Sequence, residues 1–410
     1  MSLHAKMTAL ADTIREKSGI SEPMGLDTMC QTVQGLHTFV PQVSGTADPD
    51  ELYRTTRPAD WLPMPTPNDN EMYCLCLIPE GEDGAFTAKV NFSGVCSVEF
   101  GNLMNGVFTA KESITPTTNV RFYHTVNAEN YGNITSDGNK QYLVRITGTI
   151  TKADLTIDSF DAYEYGIHKL VDIAVGLKTD LQCGTQMNGQ GCPYLRYVRF
   201  MGNGQLMNSG GQNFRQCFSL VAISSGQKAT AYYASYMFSN CRSLQAVSPE
   251  IFVSGIGYNN AFNGASMIPL NSVQIFPTAI SNVFRDTFGC KRIDGSKFNT
   301  KNCKDFSNFA YGSQITEIEN LDISSMSTPA GMFGYCYLSK LTFAGETTPG
   351  GWTIDITKGL MSHKALVNMI NSLPMATTAA TITITGNPGA GQLTDAEIAV
   401  ATAKNWTVTI

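Results

Sequence analysis

A phenylalanine, a small residue three positions later and apolar residues at the same step return along the middle of the chain. NFRQCFSLVAI places Phe214, Cys217, Leu220 and Ile223 at steps of three, and MFSNCRSLQAV repeats them as Phe238, Cys241, Leu244 and Val247. AFNGASMIPL gives Phe262, Ala265 and Ile268, and NFAYGSQITEI gives Phe309, Gly312, Ile315 and Ile318. TFGCKRI (Phe288, Cys290, Ile293) and MFGYCYLSKLTF (Phe333, Cys336, Leu338, Leu341) read as copies that have lost a residue. These phenylalanines are spaced by 24, 24, 26, 21 and 24 residues. Such a period lies within the roughly 20–29 residues of leucine-rich-type solenoids.

One copy holds too little apolar surface to fold alone, so each must stack on its neighbours. Phe then enters the core at a fixed depth, Cys fills a slot where a bulkier side chain would clash, and the Leu/Ile pair begins a short strand. On this reading Phe and Cys are core residues, and function lies in what the solenoid displays between them. The unit resembles the BspA-type leucine-rich repeat, AF-x-x-C-x-x-L-x-x-I, from about Leu195 to Phe343. That resemblance implies a scaffold used for surface adhesion.

A chain of 410 residues has room for two to four domains. Its charged fraction of 15% is low against the usual quarter, with Gly, Ser, Thr and Asn supplying the polarity, which suits an extended, β-rich display protein. The net charge of −6, without any basic run, argues against a nucleic-acid or anionic-membrane partner. Nothing approaches the ~20 apolar residues of a membrane span, and MSLHAKMTALADTIREK lacks the apolar core of a secretion signal. The eleven cysteines are therefore expected as reduced thiols, with Cys217, Cys241, Cys290 and Cys336 in the repeat slot.

In chain order, residues 1–37 read as a helical attachment and oligomerisation segment, with two short helices over 4–36. Leu10 and Ile14 mark the first, and Met29, Val33 and Leu36 form a stripe on the second. The pair has apolar stripes and no core of its own, which predicts self-association, most simply as a trimer. Residues 38–56 read as a linker. Residues 57–160 read as a small β-sandwich, in which EMYCLCLI is apolar throughout, as in a strand buried on both faces. Phe86, Ala88, Val90 and Phe92 alternate on a second strand; Cys96, Val98 and Phe100 on a third; Val120, Phe122, His124 and Val126 on a fourth. Residues 161–345 are the leucine-rich-repeat-like solenoid, opened by a cap at Tyr163–Gly176. Residues 346–410 are an α/β cap continuing it, with Leu366, Ile370 and Leu373 on one helix stripe, a Thr394/Glu397 capping box and a last strand WTVTI. The fold class is thus mainly β with short helices.

Two stretches carry a further resemblance. LADTIREKSGISEPMGLDTMCQTVQGL resembles a segment near the start of phage tail and tail-fibre proteins, and RTTRPADWLPMPTP resembles a lead-in to a small β-domain in phage tail-associated proteins. They imply a structural virion protein of the tail tip or fibre, made in the host cytoplasm.

No catalytic constellation stands out: there is no P-loop, no H-E-x-x-H and no G-x-S-x-G. The five histidines are scattered, and His124 lies on a core-facing register as a satisfied core histidine. Cys74 and Cys76 share one face of a strand but lack partners for a zinc site. GNPGAGQ (Gly386–Gln392) reads as a plain strand-to-helix turn, and Glu80, Glu82 and Asp83 as a solvated hairpin tip. No cofactor or metal is called for. Tyrosines outside the repeat pattern are suggestive, among them Tyr236, Tyr335 and Tyr337, and Tyr232, Tyr233, Tyr258 and Tyr311 are the binding candidates. Tyr offers rigid amphipathic contact area and stacks on sugar rings, although packing between turns would use the same residues. The expected function is recognition of a bacterial surface glycan or protein by the solenoid, with other tail or baseplate proteins as partners. A cell-surface adhesin with the same repeats is the alternative, and a tail-borne glycan hydrolase, needing two carboxylates across one cleft, is a second.

Overall fold

EMYCLCLI, strand β1 (Glu71–Ile78), is apolar on both faces, and the fold uses both: all eight residues are buried. In the computed structural model, which describes residues 48–82, 84–116, 121–155, 169–184, 191–208, 211–266 and 275–410, β1 lies inside one twelve-stranded sheet. The helical pair expected over 4–36 lies outside the described residues, as do 38–47 of the expected linker. Residues 49–56 of that linker are helical instead. Helix α1 (Pro49–Thr56) starts with Pro at its first turn and the Asp48 side chain accepting the Asp50 N–H.

Strands β2 (Gly84–Met104), β3 (Val107–Ile114), β4 (Arg121–Val126) and β5 (Lys140–Asp154) follow. The two alternating runs expected as separate strands form the single 21-residue β2, broken in register at Asn91/Phe92 and at Ser93/Cys96. Along it Phe86, Ala88, Val90, Cys96, Val98 and Phe100 all face the core. The strands of the expected β-sandwich share one sheet with the solenoid. β1 pairs antiparallel with β5 on one edge and with β6 (Lys169–Val175) on the other. The turn after Glu80 is no hairpin, because β1 and β2 are not neighbours.

From β6 onward the chain winds as a β-solenoid of about nine turns. Parallel strands β8 (Tyr197–Phe200), β10 (Ala222–Ser225) and β12 (Ala246–Val247) extend β6 on one side. Strands β7 (Lys178–Gln182), β9 (Gln205–Asn208) and β11 (Thr230–Ala231) extend the end of β5 on another. Strands β13 (Arg292–Asp294), β14 (Glu317–Asp322) and β15 (Lys340–Ala344) form a later parallel sheet.

The remaining corner of each turn is a five-residue arch built around the repeat phenylalanine. Residues two before and two after it have positive φ: Tyr236 and Asn240 around Phe238, Asn260 and Gly264 around Phe262, Asn282 and Asp286 around Phe284. Asn, Asp and Gly bear that conformation most readily, which explains their recurrence. At Gly264 the requirement is double, since a Cβ would stand 2.5 Å from Asn240 Oδ1 of the preceding turn. The central N–H of each arch donates to the next turn: Phe214 to Met237 O (3.0 Å), Phe238 to Ala261 O (2.9 Å), Phe262 to Val283 O (3.1 Å). Phe214, Phe238, Phe262 and Phe284 stack nearly parallel at 5.9, 5.7 and 5.8 Å.

This ladder corrects the repeat register in two copies. The fourth ring is Phe284 and not Phe288, which is 39% exposed. In the fifth copy the arch lies between Asn308 and Gly312, both with positive φ, so Ala310 takes the central place. Ala310 N–H donates to Met332 O, while Phe309 fills the core from one position earlier, edge-on to Phe284. The slot three residues on is accordingly Cys217, Cys241, Ala265, Thr287, Ser313 and Cys336. Cys290 is buried at the place of Leu220 and Leu244.

The slot is also not purely apolar. Cys241 Sγ donates to Phe214 O at 3.0 Å and Thr287 Oγ1 to Phe262 O at 3.1 Å, and Cys336 Sγ reaches Ala310 O. A hydroxyl is therefore at home there. Cys241→Ser should cost at most about 1 kcal/mol, because the bond is kept, and Cys241→Ala should cost more, losing bond and packing together. Denaturant titration of both variants reads the order; a serine variant less stable than the alanine one would refute the donor role. The ten described cysteines are free and buried, and burial pushes the Cys241 thiol well up.

The C-terminal cap follows the expected plan. Strand β16 (Thr347–Gly350) pairs with β18 (Met375–Thr378), and β17 (Thr353–Asp355), β19 (Ala380–Thr383) and β20 (Trp406–Thr409) form a parallel trio. Helix α2 (His363–Ser372) buries Leu366, Met369 and Ile370, and α3 (Asp395–Ala403) opens on the Thr394/Glu397 capping box. One apolar core runs from Met72 to Trp406. Among the described residues no helix is long and apolar enough to cross a membrane.

Candidate functional site

Large exposed side chains mark the candidate surface. Strand β11 ends at Ala231, and the next two residues, Tyr232 and Tyr233, project from the turn with 69% and 58% exposure. Beside Tyr232 is an open depression of about 300 Å³, lined also by Asn91, Lys152, Asp180, Met207 and Thr230. The parallel register produces this grouping: Lys152 pairs with Asp180 along β5 and β7, and Met207 with Thr230 along β9 and β11. Lys152 Nζ lies 3.7 Å from Asp180 Oδ2, and Asn213 Nδ2 also donates to Asp180. An aromatic plate, a partly exposed methionine and a fixed pair of opposite charges form a surface suited to a sugar ring.

The four expected tyrosines do not form one site. Tyr258 is 1% exposed; its hydroxyl donates to Val253 O at 2.7 Å and accepts from Val253 N–H, and its ring packs on Phe262 and Phe298. It is a core residue, because its position falls on the inward register of its turn. Tyr311 is half-buried, with Arg285 5.2 Å from its ring centre and Tyr335 edge-on at 5.2 Å. Tyr335 and Tyr337, 60% and 55% exposed, were the better surface candidates. Their signal was legible: they stand two and four residues after Phe333, where the arch turns outward.

His124 is satisfied by its neighbours: the ring stacks on Phe100 at 4.1 Å and Nε2 lies 2.8 Å from Glu112 Oε2. Cys74 and Cys76 are fully buried on the core side of β1. Among the described residues no three His, Cys, Asp or Glu side chains are placed to hold a metal ion. No protein-family model, curated protein or solved structure matches the chain.

Proposed function

We propose that this chain is a structural phage tail protein, of the tail tip or fibre, that binds a bacterial surface glycan through its solenoid. The observation that carries the binding role is the exposed Tyr232–Tyr233 pair beside a depression with a fixed Lys152–Asp180 ion pair. The tail assignment rests on the resemblances of LADTIREKSGI and RTTRPADWLPMPTP to phage tail segments. The turns are taken as BspA-type units, and residues 4–36 as the attachment and trimerising segment, which sedimentation of the full chain would read directly. Several copies per particle turn weak single contacts into firm attachment.

The test uses the full chain, because β6 would lose its β1 neighbour in a fragment beginning near residue 165. Beads carrying many copies are offered to a panel of bacterial strains. At least one strain should be captured, and Tyr232→Ala with Tyr233→Ala should reduce capture about tenfold, the loss of one or two stacking contacts. Capture of no strain overturns the receptor role; equal capture by the variant removes the two tyrosines from the site.

A further inference from the structure

The arches carry a second surface, distinct from the Tyr232 depression. Counting from the central residue of each arch (Phe214, Phe238, Phe262, Phe284, Ala310, Phe333), the positions one, two and four residues later are exposed or half-exposed, save the buried Ser239 and Ser266. Successive turns bring these positions to roughly 4.8 Å spacing along the axis. Three arginines stand there, each against an aromatic ring of an adjacent turn. Arg215 lies 4.9 Å from the ring centre of Tyr236, Arg242 5.4 Å from Phe218, and Arg285 5.2 Å from Tyr311. Tyr311 in turn meets Tyr335 edge-on, and Tyr337 stands exposed beyond it. Asn240, Asn263 and Gln314 supply amides at the same positions.

Two features set this edge apart. Its guanidiniums are a local concentration of positive charge on a chain of net charge −6, and the acid facing them at these positions is Asp286, paired with Arg285 at 3.3 Å. The stacking also holds long side chains in place, so less conformational entropy is lost when an anion is bound.

We propose that this edge binds a linear anionic glycan laid along the solenoid axis. Its acidic groups pair with Arg215, Arg242 and Arg285, and its rings stack on Tyr335 and Tyr337. The turn spacing is close to the rise of one pyranose in an extended chain, so successive turns address successive sugars. Arg suits this role because its planar fork meets a carboxylate or phosphate with two hydrogen bonds. The proposal rests on the surface-binding reading above and adds a second site with its own ligand class.

Binding of the full chain is measured against alginate, a uronic-acid polymer; phosphomannan, a phosphate-bearing polymer of mannose; neutral dextran; and single-stranded DNA. At least one of the first two should bind, the stronger one identifying carboxylate or phosphate as the acidic group. Binding should weaken with added salt, and dextran and DNA should bind at least about tenfold less. Arg215→Gln with Arg242→Gln and Arg285→Gln should lose about tenfold or more. Arg242→Gln alone, at an exposed position, gives the same direction of change should the triple variant fold poorly. Undiminished polymer binding by the arginine variants, or dextran or DNA binding as strong as the acidic glycans, overturns the proposal. Strain capture by a chain that ignores both acidic polymers overturns it too but leaves the receptor role standing. Acidic-polymer binding without capture of any strain does the reverse.

Discussion

Replacing Arg57 by alanine should lower the unfolding free energy by about 3–5 kcal/mol, the cost of leaving one partner of a buried pair alone. Arg57 belongs to RTTRPADWLPMPTP, the lead-in singled out in the sequence. Its Nε lies 2.8 Å from Oδ2 of Asp172, which is fully buried in β6, and its Nη atoms donate to the carbonyls of Trp61 and Leu62. Tyr53 from α1 adds its hydroxyl to the same carboxylate at 3.0 Å, and Arg199 from β8 stacks on the Tyr53 ring at 3.8 Å. These contacts lay Trp61 and Leu62 over Leu75, Val171, Tyr197 and Val221, covering the outer face of the sheet. Without Arg57 the carboxylate keeps the burial penalty and loses its closest cation.

The pH dependence separates this cost from simple packing loss. Burial pushes the Asp172 carboxyl above the ordinary carboxylate range, against the pull of Arg57, Arg199 and the Tyr53 hydroxyl. The folded chain therefore binds that proton more tightly than the unfolded chain. Between the ordinary and the raised pKa the unfolded state carries fewer protons, so Asp172 makes stability fall as pH rises through that window and level off above it. In the Arg57→Ala protein the raised pKa moves higher still. Its deficit relative to the parent should be largest at neutral pH and shrink toward acid, where Asp172 is protonated. Denaturant titrations at several pH values measure this; a deficit independent of pH would mean that Arg57 acts only through packing. Asp172→Asn in the Arg57→Ala background should recover part of the loss at neutral pH.

Phe238→Ala should cost about 3–5 kcal/mol, the range for an aromatic ring deleted from a core that cannot collapse around the gap. The ring lies between Phe214 and Phe262, within 3° of parallel to both, and has no exposed surface. The flanking rings are held by the hydrogen-bond ladder between arches and cannot close on the space. Phe288→Ala is the informative companion. The spacing of the sequence gives Phe288 the same role, but the fold places it off the stack and 39% exposed, so its loss should stay within about 1 kcal/mol. Equal destabilisation by the two substitutions, read by denaturant titration, would contradict the register given by the ladder.

Much of this architecture is carried by local patterns. The repeat period, the doubly buried β1, the alternation along β2, the stripe of α2 and the Thr394/Glu397 box each lie within a few residues, where side-chain period and capping chemistry act directly. The arch register was legible too, in a signal other than the phenylalanine spacing. NAFNG, NVFRD and NFAYG place residues tolerant of positive φ on either side of the centre, and that rule picks Phe284 over Phe288 and Ala310 over Phe309. Phenylalanine misleads there because a ring entering from one position earlier can fill the same core volume.

Other features depend on contacts between distant parts of the chain. No local pattern states that β1 will insert between β5 and β6, that Arg57 will find Asp172, or that Tyr258 will turn inward to bond the Val253 backbone. The Tyr232 depression and the arginine edge have the same origin. Each gathers residues more than twenty positions apart, and the stacking of turns sets which of them meet. The sequence determined by itself that the chain must wind into repeating turns, because one copy buries too little apolar surface to stand alone. Which side chains those turns consume, and which remain for a ligand, was decided only by the tertiary structure, through the hydrogen-bond register between one turn and the next.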